Sequence, residues 1–246
     1  LEADTGLSES QESSSTGRLN TLTATAAVIV AVMVSAVATW YLRTPADGPS
    51  ALTNRFAINL PSAVAFRPTT MVPVAITPDG RRLIFNGSAG GEPQIYSRSL
   101  EELDPVPVRG AGGSLGSLFL SPDGEWVGFN DTTDNTFKRV RVTGGPPVTV
   151  CETGVTGGGY RGASWGSNGT IVFATAASPS LMVVPEVGGI PEPLTETTDG
   201  EEHSFPHFLP DGRALLFEVN RPGEQRQIAV LELESGEINT LTEGSG

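Results

Sequence analysis

"SPDGEWVGF", residues 121–129, joins a tight turn to an apolar strand, and near-copies of it recur along the chain. "TPDGRRLIF" occupies 77–85, "GSNGTIVF" 166–173 and "LPDGRALLF" 209–217. The closing phenylalanines are Phe85, Phe129, Phe173 and Phe217, and each step between them is 44 residues. In such a turn proline sets φ near about −65°, aspartate accepts from the backbone that follows it, and glycine supplies positive φ. The third copy has Ser167-Asn168 in place of Pro-Asp but keeps Gly169. Asparagine makes the same kind of turn, so the departure is mild.

Outward from each turn the pattern repeats in four parts. An extended run leads in: "VPVAI", "LGSLFL", "YRGASW", "HSFPHFL". The turn and the Phe-ending strand follow. A third strand comes after a variable loop: "QIYSRSL", "FKRVRV", "LMVVPE", "QIAVLEL". A second turn, "TGGPP", "VGGIP" or "ESGEI", then opens a fourth strand: "PVPV", "PVTV", "EPLT", "NTLT". Four antiparallel strands on a period of about 40–45 residues is the arithmetic of a β-propeller blade. A sandwich or barrel has many strands too, but does not space four phenylalanines identically. The expected fold is therefore all-β, a β-propeller with four four-stranded blades visible. Closed four-bladed rings are rare, so these blades are expected to belong to a larger, six- to eight-bladed ring. The four phenylalanines should lie buried on the second strand of successive blades.

Composition narrows the function. The 246 residues carry 28 acidic against 15 basic side chains, a formal charge of −13. That argues against a nucleic-acid partner, which needs clustered Lys and Arg. The one cysteine, Cys151, ends the apolar run "PPVTVC" and reads as a strand residue rather than a nucleophile.

Ahead of the repeats the chain changes character. Residues 1–20 are polar and serine-rich and read as a disordered juxtamembrane linker. Residues 24–42, "ATAAVIVAVMVSAVATWYL", hold no charged residue. They match the ~20 residues needed to cross a bilayer core as helix. Arg18 and Arg43 flank the run, and Trp40 and Tyr41 fall where an interfacial aromatic belt belongs. The stretch lacks the polar face of a core helix, and the acidic tail before it is unlike the basic start of a signal peptide. A single transmembrane helix is expected over 21–43, then a connector over 44–54 and the partial propeller over 55–246.

The repeats resemble the TolB-like (WD-like) propeller repeat, in which S-P-D-G, a strand ending in Phe, a short strand, Gly-Gly and Leu-Thr follow one another. The likeness covers about residues 72–243. The ordered set "SPDGEWVGF", "GGPPVTVC", "RGASWGSNGTIVF" and "HFLPDGRALLF" further resembles the extracytoplasmic propeller of bacterial membrane-anchored Ser/Thr protein kinases. In those proteins a cytoplasmic kinase domain, a linker and one transmembrane helix precede the repeats. The resemblance implies a sensor or binding propeller on the outer side of the inner membrane, with an unknown protein or small-molecule ligand. The chain has no V-A-I-K strand, no H-R-D loop and no D-F-G, so it is not itself expected to be an enzyme. A membrane-tethered TolB-like scaffold and the propeller of a prolyl oligopeptidase-like hydrolase are the other two readings.

Several motifs invite stronger readings than their surroundings support. "GGGYRG", 157–162, fits G-x-G-x-x-G but runs into a propeller strand instead of a helix. "GGSLG", 112–116, fits G-x-S-x-G, yet an extended run follows Ser114, which reads as an inter-blade loop residue. His203 and His207 are spaced as in H-x-x-x-H, but on a strand their Cα atoms would be ~13 Å apart, far for a shared zinc. The sequons at Asn86, Asn130 and Asn168 fall in or near expected turns. No metal, cofactor or catalytic residue is expected. Propellers commonly bind at the central mouth, which singles out Tyr160, Arg161, His203 and His207 as mouth candidates.

Overall fold

The computed structural model describes residues 32, 33, 35, 64–67, 73–113, 115–155 and 159–243. The chain divides into two compact units, Leu1–Ala57 and Ile58–Gly246. In the first, only Val32, Met33 and Ser35 are described, all three helical. The linker, the rest of the expected span and the connector lie outside the described residues. Among the described residues no helix is long and apolar enough to cross a membrane.

Among its described residues the second unit is all-β: four antiparallel sheets, each a blade of a β-propeller. Blade one comprises β1 (Ala65–Phe66), β2 (Val74–Ile76), β3 (Arg82–Ala89), β4 (Glu92–Ser99) and β5 (Val106–Gly112). Both β1 and β2 pair with β3, so the first strand of this blade is in two pieces. Blade two runs β6 (Leu115–Leu120), β7 (Trp126–Asp131), β8 (Thr136–Arg141), β9 (Val148–Glu152). Blade three runs β10 (Tyr160–Trp165), β11 (Thr170–Thr175), β12 (Ser178–Pro185), β13 (Glu192–Pro193), and blade four β14 (Glu202–Phe208), β15 (Ala214–Asn220), β16 (Gln227–Glu232), β17 (Ile238–Glu243). In blades two to four the strands lie side by side in chain order, and in blade one β3, β4 and β5 do the same. Blades converge along their first strands, where β6, β10 and β14 pack one against the next.

The repeated turn forms as its residues require. In blade two Asp123 accepts from the Ser121 hydroxyl and the Glu125 amide, while Trp126 N–H donates to Ser121 Oγ at 2.9 Å. Blade one repeats this with Thr77, Asp79 and Arg82. In blade three Asn168 Oδ1 accepts from Thr170 N–H at 3.2 Å, and in blade four Asp211 Oδ1 accepts from Arg213 N–H at 3.1 Å. The glycine that ends each turn has φ between +68° and +76°. The turn is therefore a side-chain-stabilised reversal, and asparagine does the work of aspartate in it.

Phe85, Phe129, Phe173 and Phe217 fall on β3, β7, β11 and β15, the second strands, each 1 % exposed. Their third-strand partners, Tyr96, Lys138, Met182 and Ala229, also correspond. Alternation on these strands sends one set of side chains toward the preceding blade and the other toward the following one. Thus Ile171 and Phe173 pack with Phe137 and Val150 of blade two, whereas Val172 and Ala174 pack with Leu215 and Phe217 of blade four.

Of the three sequon asparagines, Asn86 and Asn130 lie near turns and not in them: they sit on β3 and β7 and are buried, because the strands run past the phenylalanines. Only Asn168 lies exposed in a turn. Ser114 falls outside the described residues, as do Gly157 and Gly158 of the other glycine motif.

Candidate functional site

The four residues expected at the mouth separate into different environments. The first strands of blades two, three and four each carry a one-residue bulge at the same height: a step of three residues, from Leu115 to Leu118, Tyr160 to Ala163 or Ser204 to His207, spans a step of two on the second strand. A bulge reverses which face the later residues occupy. Phe205, inside the last bulge, has φ +53°, and Gly162 in the preceding one has φ +96°. His203 and His207 therefore do not share a face.

His203 is enclosed. Its Nδ1 meets Thr195 Oγ1 and its Nε2 meets Glu201 Oε1, each at 2.8 Å, and its ring meets Phe217 edge-on at 4.7 Å. Glu201 also accepts from Arg221 Nε at 3.0 Å and Thr198 Oγ1 at 2.6 Å. Thr195 Oγ1 in turn accepts from the Leu181 amide of blade three at 3.0 Å. The group is a buried polar latch between blades three and four. Burial pushes the His203 imidazole below its usual range, against the opposing pull of Glu201. Burial also raises the Glu201 carboxyl, but hydrogen bonds from Thr198, His203 and Arg221 outweigh it and hold the group below the usual carboxylate range.

Tyr160 is enclosed as well, its ring edge-on to Phe137 at 5.3 Å. Burial raises its phenol far above the ordinary value, with the Ser117 hydroxyl acting the other way. Arg161 is half-exposed and reaches Glu202 of the next first strand at 2.5 Å. His207 is exposed, opposite Leu216. Cys151 is buried on β9, and burial pushes its thiol up to about 12, so it stays protonated near neutral pH.

A different place brings charged and aromatic side chains to a surface cleft. On the turn side of blades two and three, a cleft of 240 Å³ is lined by Trp126, Arg139, Trp165, Glu186, Asp123 and Ser167 among others. The Arg139 guanidinium carbon lies 4.6 Å from the Trp126 ring centre and 5.9 Å from that of Trp165. Arg141 takes the same Trp126 at 4.6 Å, and ion-pairs with Glu125 at 2.7 Å. Trp165 Nε1 donates to Glu186 Oε2 at 2.7 Å, which fixes the indole. Behind it Phe119 lies over Gly128, where a side chain's first carbon would come within 2.3 Å of the ring. Arg139 has no carboxylate partner among the described residues, and its Nε is buried without a hydrogen bond. Leaving such a donor unpaired costs of order 1–3 kcal/mol.

Strand pairing shows how unusual this seam is. The place of Arg139, opposite the second strand's third residue, belongs to Ser97, Val183 and Val230 in the other blades. That of Trp126 belongs to Arg82, Thr170 and Ala214, and that of Trp165 to Ile76, Leu120 and Phe208. The other described blades are built without a Trp-Arg-Trp group, so this one is particular to the seam between blades two and three, where Trp165 and Trp126 also join its core. Reading each copy for its turn hid them. Superposing the copies by strand position would have exposed Trp126 and Arg139 as departures.

No model of a known protein family matches the chain, and no curated protein matches it. Solved structures do. TolB from Acinetobacter baumannii is similar at TM-score 0.58 and 18 % identity, over 71 % of this chain and 44 % of that one. A putative TolB from Agrobacterium tumefaciens gives TM-score 0.53 and 21 % identity, over 70 % and 62 %. Puromycin hydrolase gives 0.54 and 16 %, over 69 % and 28 %. The fold is a TolB-like β-propeller. The chain spans less than two thirds of each of these structures.

Proposed function

We propose that this chain is the anchor and ligand-binding propeller of a receptor-type membrane protein, of the kind that carries a bacterial Ser/Thr kinase domain on the cytoplasmic side. Residues 1–20 would then face the cytoplasm, 21–43 cross the inner membrane, and the propeller, as part of a larger six- to eight-bladed ring, face outward. One observation carries this reading: an uncharged apolar run over 24–42 stands directly before a TolB-like propeller. The propeller contributes binding and no chemistry of its own. A ligand acting through one helix must bind two arrangements of the receptor unequally, because equal affinity shifts nothing. Association of neighbouring chains is the simplest such change.

The test is topology by protease protection in spheroplasts, with tags before residue 20 and after residue 243. External protease should remove the propeller tag and spare the other. A protected propeller overturns the reading. The fold shared with puromycin hydrolase supports a second reading, a propeller that gates a separate catalytic domain. A nucleophile elbow in an α/β pattern elsewhere in the full open reading frame would favour it, and a kinase catalytic loop would favour the first.

A further inference from the structure

We infer that the cleft between blades two and three binds a small zwitterion of the amino-acid type, with its carboxylate on Arg139, its ammonium toward Glu186 and Asp123, and an apolar side chain against Trp165. The inference rests on the propeller being a binding module and adds which part binds and what it takes.

The charges in the cleft select the ligand. Arg139 is the cation there without a carboxylate partner among the described residues, and Trp126 holds its guanidinium face at 4.6 Å. A guanidinium fixed by its face presents its edge, the part that binds a carboxylate. A simple anion is nevertheless disfavoured, because Asp123 and Glu186 line the same cleft. Both hydrogen bonds to Asp123 use Oδ1, and Trp165 uses Oε2 of Glu186, so Oδ2 and Oε1 remain to accept from a ligand. Hydrogen bonds from Ser121 and Glu125 outweigh burial and hold the Asp123 carboxyl below the usual range, which keeps it charged at neutral pH. A lone cation would meet Arg139. A ligand carrying both signs meets each with its opposite, and Trp165 supplies the apolar wall. The 240 Å³ cleft suits a molecule of amino-acid size. A second hollow, of 330 Å³ beside Glu152 and Met182, has no lining cation and lacks this balance.

The experiment titrates the full chain in mild detergent, carrying Trp40→Phe so that Trp126 and Trp165 alone report by fluorescence. The probes are phenylalanine, N-acetylphenylalanine, which lacks the ammonium, and phenylalaninamide, which lacks the carboxylate. Phenylalanine should give a saturable change with a Kd of roughly 10 µM to 1 mM, and each analogue should bind at least about tenfold more weakly. Arg139→Gln should lose about tenfold in affinity for phenylalanine, with an unchanged melt. Absence of saturation up to about 10 mM phenylalanine, or an analogue binding as well as phenylalanine, overturns the assignment. So does an Arg139→Gln protein that melts normally and binds undiminished. If Arg139→Gln does not fold, the analogues on the unaltered cleft decide alone. Failure here leaves the protease-protection result standing, so the two ideas fail separately.

Discussion

Between blades two and three, Phe137 meets Phe173 at 4.7 Å and Tyr160 at 5.3 Å, while Phe119 meets Trp165 at 6.2 Å. Between blades three and four Phe217 and Phe208 take the places of Phe173 and Trp165, but aliphatic Leu181 takes that of Phe137, and the place of Tyr160 is taken by His203, tied to Glu201 and Thr195. One backbone pattern thus accepts two ways of closing a seam. Rings supply area and tolerate any pH. The polar latch fixes direction but depends on charge. Where the ring-closed seam reaches the surface it also holds the two cleft tryptophans, so that seam carries the candidate site.

The largest expected effect breaks the ring-closed seam. Phe137→Ala removes a ring with no exposure that touches Phe119, Tyr160 and Phe173. It should cost about 3–5 kcal/mol in denaturant unfolding, by lost burial plus the cavity left behind. A cost under about 1 kcal/mol would mean that the seam collapses around the gap and that its rings are not what holds it.

Next in size is the latch. Glu201→Gln keeps the shape but removes the charge facing His203 and Arg221. Loss of charge-assisted bonds in a buried setting should cost about 1–3 kcal/mol at neutral pH. The expected signature is that Glu201→Gln and Arg221→Gln together cost less than the sum of the two alone, since they act on one cluster.

The pH response sharpens the same contrast. His203 is held below the ordinary imidazole value of about 6.5, so the folded protein binds its proton less readily than the unfolded chain does. Between the folded and unfolded values the unfolded state carries more protons, and stability rises with pH. The contribution of His203 is therefore complete above about pH 6.5 and fades as pH falls through that window. Glu201, held below the ordinary carboxylate value of about 4.5, adds a second loss of the same sign at lower pH. His203→Gln should flatten the upper step in a series of urea melts and leave the lower one. An unaltered upper step in that variant would remove His203 as its source.

Much of this was legible beforehand, for reasons that differ by residue. Turn chemistry and a period-two strand pattern are local, so Asp123, Gly124 and Phe129 announced the blades. The bulge was not legible. It arises where first strands crowd together, and no residue type marks it in all three blades, yet it decides that His203 is enclosed and His207 exposed. Tyr160 and His203 were expected at the mouth because they lie on first strands near blade-to-blade loops, but both are buried in the seams. The Trp-Arg-Trp group joins strands of two blades, β7 and β8 with β10, so it exists only after packing.

The smallest expected effect concerns Arg161, which joins the same pair of blades as the latch but does so at the surface. Its side chain is 34 % exposed and that of Glu202 41 %, so water screens the pair and both chains lose rotamer freedom in making it. A double-mutant cycle over Arg161→Ala and Glu202→Ala should return a coupling of about 0–1 kcal/mol. That coupling should vanish in about 1 M salt, where the screening length is about 3 Å. The latch, buried a few residues away, should keep most of its coupling in the same salt. A cycle giving more than about 2 kcal/mol for Arg161 and Glu202, or one insensitive to salt, would make the exposed pair the real tie between blades three and four. The contrast between a seam of rings and a seam of buried charge would then have to be redrawn.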